Sequence, residues 1–244
     1  MPRFFVEDSQ LTNDLAIIEG DDARHIARAL RMAVGDTVTL CDASGADYEC
    51  ELTRIRDEAC ECRIIARSAS ASESPVDVTL YMAFPKGDKL ETVIQKAVEL
   101  GARRIVPFES SRCIKRPKAD KIDKQIQRYT RIAHEAAKQC GRSVLPTVGE
   151  PLDFDGMLDK AAECEVVLFC YEGEGTVSLR KYLESIGTPA TVAVIVGSEG
   201  GFSESEAMAC DSRGFTKVNL GPRILRCETA PSYVLSSISY RFEL

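Results

Sequence analysis

Short, continuous apolar runs in the last two thirds of the chain constrain its fold more than any other feature. Segments with helical patterns separate five such runs: Val76–Phe84, Ile105–Phe108, Val166–Tyr171, Thr191–Val196 and Thr216–Leu220. Strands that are apolar along their whole length are typical of a parallel sheet whose two faces are both covered by helices. The sequence therefore predicts an α/β domain with a mainly parallel sheet. In such sheets ligands bind beyond the carboxyl ends of the strands, so we expect the functional residues there.

The first part of the chain has a different pattern, in which short strands and turns surround one helical segment, Asp22–Met32. The predicted strands are Phe4–Val6, Ala16–Ile18, Thr37–Cys41, Tyr48–Ile55 and Cys60–Ala66. This pattern predicts a small β-barrel, a kind of domain that is often used to hold RNA. The serine-rich segment Ser68–Pro75 is predicted to be a linker. We therefore expect an RNA-binding domain at residues 1–72 and a second domain at residues 73–244.

Composition and residue patterns exclude several classes of protein. Hydrophobic residues make up 44% of the chain and charged residues 28%, which is the mixture of a globular protein and not of a disordered one. The apolar runs are shorter than the roughly 20 residues that span a bilayer, and the segment Met1–Asp8 lacks the apolar core of a signal peptide. We therefore expect a soluble cytoplasmic protein. Two histidines and ten scattered cysteines argue against a histidine-rich metal site and favour reduced, buried thiols.

Charge is distributed unevenly along the chain. The net charge is −7, yet residues 86–142 carry 15 basic and 7 acidic side chains, whereas residues 1–72 carry 8 basic and 14 acidic ones. Apolar residues from Ile122 to Cys140 recur at helical spacing and predict the buried stripe of an amphipathic helix that Gly141 ends. The opposite face carries a row of cations: Lys121, Lys124, Arg128, Arg131, Lys138 and Arg142. Such a row suits a phosphate backbone, and a merely solvated helix face is the alternative.

Glycine-rich segments follow three of the predicted strands. Gly197–Phe202 comes after Thr191–Val196 and contains three glycines, which let the backbone approach a ligand closely; a simple tight turn is the alternative. It lacks the Gly-x-Ser-x-Gly spacing of an esterase. Gly221–Pro231 follows the next strand and leads to a last helix that Thr229 can cap. Tyr171–Gly175 lacks the third glycine of a dinucleotide loop, which argues against a nucleotide-dependent oxidoreductase.

Two segments resemble the signature pair of the SPOUT class of methyltransferases: Val196–Ser203 (VGSEGGFS) and Leu220–Ala230 (LGPRILRCETA). Further motifs occur in the same order as in the RsmE family of that class: MPRFFV at the start of the chain, HIARALRM at 25–32, KGDK at 86–89, KAVELG at 96–101 and AAKQCGR at 136–142. Nearly the whole chain is thus similar to the RsmE family. Two positions depart from the family pattern, which has proline where Ser198 stands and glutamate where Lys138 stands.

The resemblance implies a fold, a cofactor and an assembly. Members of the family combine a PUA-like β-barrel with a SPOUT α/β domain that contains a deep trefoil knot, and they take a methyl group from S-adenosylmethionine. Carried over by position, the cofactor-binding residues are Gly197, Ser198, Glu199, Gly200, Gly201, Leu220, Gly221, Ile224, Leu225, Arg226, Thr229 and Ala230. The resemblance also implies a homodimer with the site at a two-fold interface. The apolar residues of the last helix, Ser232–Phe242, are candidates for that interface.

The activity implied by the resemblance is methylation of N3 of a specific uridine in 16S rRNA of the small ribosomal subunit. Uridine N3 carries a proton at neutral pH, so a base is needed, and Glu172 or Glu199 is the candidate. Arg223 and Arg226 are candidates for stabilising a developing uridine oxyanion; an ion pair with Glu228 or a phosphate clamp is the alternative for Arg226. An RNA-binding or ribosome-binding factor that retains the fold without catalysis is the alternative function.

RNA contacts are predicted at basic residues of both domains. They are Arg24, Arg28, Arg31, Lys86, Lys121, Lys124, Arg128, Arg131 and Arg142. Such side chains grip phosphates, which position an RNA substrate without reading its sequence. We expect the partner to be 16S rRNA within the assembled small subunit, and we expect neither a membrane nor a metal ion as a partner.

Overall fold

The computed structural model describes residues 1–42, 44–70, 72–114 and 119–244. The chain forms two compact units. The N-terminal unit comprises Met1–Glu73 and Ala137–Leu145, and the C-terminal unit comprises Ser74–Ala136 and Pro146–Leu244. The N-terminal unit is therefore discontinuous in sequence, because a short later segment belongs to it.

A curled five-stranded sheet forms the N-terminal unit. Its strands are β1 (Arg3–Phe5), β2 (Leu15–Glu19), β3 (Thr37–Cys41), β4 (Ala46–Ile55) and β5 (Ala59–Ala69), in the order β1-β3-β4-β5-β2. β1 and β3 pair in parallel, and the other neighbours are antiparallel. The five strands predicted for this region are present, with ends that differ by a few residues. Alternate residues face the core, as in β2, where Ala16 and Ile18 are buried.

One helical segment connects β2 to β3. α1 (Gly20–Arg24) continues as a π-helical turn, His25–Ala29, and Ile26 packs into the core. The helix predicted at Asp22–Met32 thus begins and ends earlier than expected. Its end has a local cause, because Arg31 adopts a φ of 51°, in the left-handed region that does not continue a right-handed helix.

Hydrogen bonds join the segment Ala137–Leu145 to the rest of the N-terminal unit. The carboxylate of Glu73 accepts a bond from the backbone N–H of Ser143 at 2.8 Å, and Ser143 Oγ lies 2.6 Å from Ser70 Oγ. The boundary between the two units, after Glu73, lies within the linker predicted at Ser68–Pro75. Two residues of this segment, Ser70 and Glu73, nevertheless bond within the N-terminal unit. Their bonding partners are 70 and 73 positions away, so the local composition does not reveal them.

A seven-stranded sheet forms the C-terminal unit, and all its neighbouring strands pair in parallel. Its strands are β6 (Asp77–Ala83), β7 (Arg104–Phe108), β8 (Thr147–Val148), β9 (Val166–Cys170), β10 (Val177–Ser178), β11 (Thr191–Val196) and β12 (Thr216–Asn219), in the order β10-β12-β9-β11-β6-β7-β8. The mainly parallel sheet predicted from the apolar runs is confirmed. The two-residue strands β8 and β10 are too short to form such runs, and the sequence pattern missed them.

Consecutive residues of β6 and β11 are buried, and neighbouring residues of a strand point to opposite faces, so both faces of the sheet are covered there. The remaining helices are α2 (Lys89–Glu99), α3 (Ile122–Cys140), α4 (Phe154–Ala161), α5 (Leu179–Ser185), α6 (Glu204–Ser212) and α7 (Ala230–Phe242). Short 3₁₀ turns lie at Asp8–Gln10 and Ala119–Lys121. In the part of the chain that the structure describes, no helix is both long and apolar enough to cross a membrane.

α3 confirms the helix predicted from the apolar spacing. Tyr129, Ala133 and Ala136 are buried along its length, and Gly141, with a φ of 82°, follows its last residue. Cys140 was expected to complete the buried stripe, but it is exposed. In the last turn the fully buried residue is instead Ala137.

The last helix, α7, begins after Thr229, which stands at the N-cap position without a side-chain cap bond. Its apolar side chains Val234, Leu235 and Ile238 are buried within the C-terminal unit. The apolar residues expected to face a second copy are therefore already covered. Tyr233 and Tyr240 of the same helix are exposed, at 44% and 76%.

Candidate functional site

The carboxyl ends of four neighbouring strands bound one cleft. β12, β9, β11 and β6 lie side by side in the sheet, so the segments that follow them meet at the same edge. The cleft has a volume of about 810 Å³. Its lining consists of Lys89, Arg112, Cys170, Tyr171, Glu172, Gly173, Val196, Gly197, Ser198, Glu199, Gly200, Gly201, Phe202, Asn219, Leu220, Gly221, Pro222, Arg223, Ile224, Leu225, Arg226, Cys227, Glu228 and Ala230. This lining includes every residue proposed for catalysis or cofactor binding except Thr229.

The glycine loop, Gly197–Phe202, turns back on itself after β11. Gly201 donates its backbone N–H to the carbonyl oxygen of Ser198 at 2.9 Å, and its φ of 62° favours glycine. Ser198 is buried, and its hydroxyl donates to the carbonyl oxygen of Arg112 at 3.4 Å. Through the side chain of Ser198 the loop is thus tethered to a neighbouring segment.

Two glycines of this loop allow close packing against other parts of the protein. A Cβ atom at Gly200 would lie 2.9 Å from Cβ of Arg112 and 3.2 Å from its carbonyl oxygen. A Cβ atom at Gly197 would lie 3.0 Å from the ring of Phe202. The sequence interpretation assigned these glycines to the close approach of a ligand. In the structure, the atoms that approach Gly200 belong to the segment containing Arg112.

Aromatic rings pack against the glycine loop. Phe202, its last residue, contacts Phe169 of β9 with ring centroids 4.5 Å apart and stacks on Phe108 of β7 at 6.3 Å. Tyr171 lines the cleft and stacks on Phe169 at 5.6 Å. Ring pairs of this kind bury a large area and favour specific orientations, so they hold the loop against the ends of β7 and β9.

The second loop of the cleft is Leu220–Thr229, which we call the arginine loop. Gly221 has a φ of 105°, which turns the chain sharply after β12. Arg223 and Arg226 are exposed in the lining of the cleft. Ile224 also lines the cleft but is 82% exposed, so within this chain it gives little apolar cover. Thr229 lies at the end of the loop, and its backbone N–H donates to the carbonyl oxygen of Arg226 at 2.8 Å.

Lys89 contacts two acidic side chains of the cleft. Its Nζ lies 2.9 Å from Glu199 Oε1 and 3.2 Å from Glu228 Oε2, so Glu228 pairs with this lysine and not with Arg226. Burial alone would raise the pKa of Glu199, but hydrogen bonds from Lys89 and from backbone N–H groups lower it below its usual value. A carboxylate with a lowered pKa is a weaker base. Glu199 is therefore a poor candidate for removing a proton from a substrate.

Glu172 is the other candidate base. It follows β9, is exposed, and lines the same cleft as the two arginines of the arginine loop. The structure thus brings the three predicted catalytic residues, Glu172, Arg223 and Arg226, to one cleft.

The cysteines of the cleft are not suited to nucleophilic chemistry. Burial raises the pKa of Cys170 to about 12, and burial together with a hydrogen bond to Glu228 raises the pKa of Cys227 to about 12. Such thiols stay protonated at neutral pH. Seven of the ten cysteines are buried, and none of the described ones is in a disulfide. Among the described residues, no group of three His, Cys, Asp or Glu side chains is placed to hold a metal ion.

The predicted RNA contacts of the N-terminal unit, Arg24, Arg28 and Arg31, are exposed. Arg24 pairs with Asp21 at 2.7 Å, and Arg28 pairs with Asp57. Exposed ion pairs contribute little to stability, so these carboxylates can be exchanged for phosphates at little cost.

The exposed side of α3 carries part of the predicted cationic row. Lys121, Lys124 and Arg131 are exposed there. Arg128 is also exposed, but it pairs with Glu91 at 2.9 Å. Three of these four cations are therefore the better candidates for phosphate contacts.

Three further basic residues have other roles in the structure. Arg142 is only 5% exposed and donates to the carboxylate of Glu73 at 2.8 Å, so its prediction as an RNA contact is wrong. The helical spacing that placed it in the row ends at Cys140. Lys138 pairs with Asp22 at 2.7 Å. Lys86 is exposed, and its backbone N–H donates to Glu199 at 3.2 Å.

Some residues of the cleft were not predicted as site residues: Lys89, Arg112, Tyr171 and Asn219. For Lys89 a signal existed, because the motif KGDK at 86–89 follows the end of a predicted strand as the glycine loop does. No sequence signal indicated that Arg112 lies at the cleft. Its segment has no glycine, and only the strand order shows that the end of β7 lies near the end of β11.

The chain matches two family models. The model described as RNA methyltransferase domain matches residues 72–239, and the model described as RNA methyltransferase PUA domain matches residues 18–65. The chain is also 34% identical over 251 residues to the ribosomal RNA small subunit methyltransferase E of Bacillus subtilis (strain 168), a match that covers 100% of this chain and 98% of the relative.

Two solved structures are similar over nearly their whole length. A ribosomal RNA small subunit methyltransferase E from Neisseria gonorrhoeae, bound to S-adenosyl methionine, has a TM-score of 0.86 and 29% identity, covering 98% of this chain and 97% of that one. A protein from Legionella pneumophila described as a methyltransferase, with the cofactor SAM bound, has a TM-score of 0.85 and 29% identity, covering 98% of this chain and 96% of that one.

Proposed function

The chain belongs to the RNA methyltransferase family that includes ribosomal RNA small subunit methyltransferase E, and from this premise we propose that it transfers a methyl group from S-adenosylmethionine to small-subunit ribosomal RNA. The observation that carries the proposal is the cleft that the glycine loop and the arginine loop form at the carboxyl ends of the parallel strands. The relative from Neisseria gonorrhoeae, which has the same fold, is bound to S-adenosyl methionine.

The cleft fits this cofactor in size and chemistry. Its volume of about 810 Å³ lies within the range of about 300–1,000 Å³ that is usual for small-molecule sites. Backbone groups of the glycine loop and the half-buried side chains of Leu220 and Leu225 offer hydrogen bonds and apolar contact for an adenine ring. When bound, S-adenosylmethionine supplies a methyl group activated by its sulfonium. The task that remains for the protein is to position the acceptor and to manage its proton.

We propose N3 of a uridine in 16S rRNA as the acceptor, as the family resemblance implies. Glu172 is the better base, because it is exposed at the cleft whereas Glu199 is held by Lys89. Loss of the N3 proton moves negative charge onto the carbonyl oxygens of the uracil. Arg223 and Arg226 can stabilise that charge, because both side chains are exposed in the same lining.

RNA is proposed to contact basic residues of both units. The exposed residues Arg24, Arg28 and Arg31 support an RNA-binding role for residues 1–72, a region that includes the match to the PUA domain. In the C-terminal unit the proposed contacts are Lys86, Lys121, Lys124, Arg128 and Arg131. The target base has to leave its stack to reach a methyl group in a cleft, so phosphate contacts have to hold the surrounding strand.

We further propose a homodimer and a trefoil knot in the C-terminal domain, as the resemblance implies. The exposed rings of Tyr233 and Tyr240 and the exposed side chain of Ile224 are apolar surface that a second copy would cover. Because Ile224 also lines the cleft, such a copy would close the site that is open within one chain.

Two measurements test the proposed function. Calorimetry should detect binding of S-adenosylmethionine to the purified chain without RNA; no binding would contradict the proposal. Mass spectrometry of small-subunit rRNA from a deletion strain should show the loss of one N3-methyluridine, and incubation with the protein and S-adenosylmethionine should restore it. Comparing free 16S rRNA with assembled subunits in that incubation identifies the substrate. A protein that binds small subunits without S-adenosylmethionine, and whose deletion leaves the methylation of the rRNA unchanged, would instead be a non-catalytic binding factor.

A further inference from the structure

We propose that Lys89 is a positioning residue for the methyl donor, because its ammonium group holds the glycine loop and the arginine loop together through Glu199 and Glu228. The inference rests on the proposed function, since it concerns the same cleft. It assigns a role to a side chain outside both glycine-rich segments.

The geometry joins three separate parts of the chain at one atom. Nζ of Lys89 lies 2.9 Å from Glu199 of the glycine loop and 3.2 Å from Glu228 of the arginine loop. All three side chains line the cleft. A single cation thus fixes the separation of the two loops that bound the proposed donor site.

Glu199 is held from a second direction as well. The backbone N–H of Lys86 lies 3.2 Å from each of its carboxylate oxygens. The short segment between β6 and α2 therefore contacts the glycine loop through both backbone and side chain. Its contact with Glu228 is made by the Lys89 ammonium group.

The three side chains are partly shielded from water, with exposures of 34% for Lys89, 29% for Glu199 and 24% for Glu228. Partial burial strengthens charge-assisted hydrogen bonds relative to those of fully exposed pairs. The pKa directions agree with mutual stabilisation. The pKa of Lys89 is raised, chiefly by its hydrogen bond to Glu199, and that of Glu228 is lowered by its own backbone N–H and by bonds from Cys227 and Lys89.

The position of Lys89 in its helix also points to a role outside the helix. It is the first residue of α2, where the helix dipole disfavours a cation and favours an acid. A lysine there gains nothing from the helix itself. Residues that break a local preference are often retained for a site, and here two carboxylates provide the compensating contact.

Removal of the cation would leave two carboxylates close together. Both contact the same atom, so their nearest oxygens lie within about 6 Å of each other, a separation at which like charges repel. The loops that carry them would then move apart. The expected defect is a cleft of altered width in a chain whose fold is otherwise retained.

The experiment measures binding of S-adenosylmethionine and of S-adenosylhomocysteine to the full chain by calorimetry. We expect Lys89→Met to weaken both by about tenfold, the effect of losing one charge-assisted interaction. Equal losses indicate positioning, because only S-adenosylmethionine carries the sulfonium charge. Lys89→Arg should restore part of the affinity. Lys96→Met, which changes an exposed lysine of the same helix, is the control and should bind both ligands like the wild type.

A second-site variant separates positioning from a merely structural role. Glu228→Gln in the Lys89→Met background removes one of the two repelling charges and should recover part of the donor affinity; a lysine that only supports α2 would show no such recovery. Wild-type affinity in Lys89→Met, or additive losses in the double variant, would overturn the inference. If Lys89→Met does not fold, the single variant Glu228→Gln is measured instead. It should bind S-adenosylmethionine severalfold more weakly than the wild type, and an unchanged affinity would overturn the inference. A wild-type chain that does not bind S-adenosylmethionine would overturn the proposed function itself.

Discussion

Gly200 lies so close to Arg112 that a Cβ atom on the glycine would stand 2.9 Å from Cβ of the arginine. The guanidinium group of Arg112 also donates from Nη1 to the carbonyl oxygen of Gly200 at 3.0 Å. The lack of a side chain at position 200 therefore lets the segment after β7 hold the glycine loop.

Gly200→Val should abolish binding of S-adenosylmethionine while leaving most of the fold intact, because the branched side chain displaces the loop from Arg112. Calorimetry measures the binding, and circular dichroism follows the fold. Gly187→Ala is the matched control, since a Cβ there meets nothing within 4 Å and the residue is exposed. Unchanged donor affinity in Gly200→Val would remove the glycine loop from the site.

Glu172→Gln should lower kcat for rRNA methylation by about a hundredfold or more, the usual contribution of a general base, without changing donor affinity. Glu199→Gln should instead weaken binding of S-adenosylmethionine, because it removes the carboxylate charge of the glycine loop that pairs with Lys89. Single-turnover methylation and calorimetry separate the two effects. Equal kcat in Glu172→Gln and the wild type would exclude Glu172 as the base.

Arg131→Ala should weaken RNA binding and reduce its salt dependence by a slope of about 1, because one phosphate contact is lost. Arg128→Ala should have a smaller effect, since that side chain already pairs with Glu91. Titrations at several salt concentrations measure the slope. Arg180→Ala, on the exposed side of α5, is the control. A slope that Arg131→Ala leaves unchanged would mean that this face of α3 is merely solvated.

Arg142→Met should destabilise the chain by about 3 kcal/mol, because it leaves the carboxylate of Glu73 without its guanidinium partner in a largely buried place. Burial alone would raise the pKa of Glu73, but bonds from Arg142 and from backbone N–H groups hold it below its usual value. A carboxylate whose pKa is lowered by folding stabilises the protein above its unfolded pKa, and the contribution is lost as the pH falls below about 4.5.

Urea unfolding at several pH values tests this prediction. The free energy of unfolding of the wild type should fall in acid, and the Arg142→Met variant should lose the part of that dependence that comes from Glu73, while other carboxylates with lowered pKa values, such as Asp47, keep theirs. Glu99→Gln, at an exposed position, should leave both quantities unchanged. Equal stability of Arg142→Met and the wild type at neutral pH would contradict the assignment of Arg142 to a buried ion pair.

Tyr240→Asp should shift the chain from dimer to monomer, since a charge replaces an aromatic ring that is 76% exposed within one chain. Sedimentation velocity at micromolar concentration measures the change, and Tyr182→Asp, on α5, provides a comparison at another partly exposed tyrosine. An active wild-type monomer under these conditions would count against the proposed homodimer.

Much of the fold follows from local patterns. The apolar runs specified the main strands of the parallel sheet because residues buried on both sides have to be apolar throughout. The spacing of Tyr129, Ala133 and Ala136 specified α3 because helix geometry fixes which positions share a face. The spacing did not predict that Cys140 is exposed. Helical spacing shows on which face of a helix a residue lies, but it does not show where a neighbouring segment stops covering that face.

The cleft was predictable only in part. Its two glycine-rich loops could be identified because each follows a strand and each resembles a family motif. Arg112 and the bridge at Lys89 depend on which strands are neighbours, and strand order is not encoded in any single segment. Arg142 was misassigned for a related reason, since its partner Glu73 lies 69 positions away and helical spacing is silent about contacts at that distance.

The discontinuity of the N-terminal unit has a consequence for the order of events during synthesis. Arg3 and Asp47 both bond to Ser143, and Glu73 bonds to Arg142 and to the backbone of Ser143. When translation has reached only residue 73, Arg3 and Asp47 can pair with each other, but Arg142 and Ser143, which these three side chains also contact, have not yet been made. The nascent chain has to extend through Leu145 before the N-terminal unit can be completed, by which point several segments of the C-terminal unit have already been translated. Co-translational folding of this protein cannot proceed strictly one unit at a time.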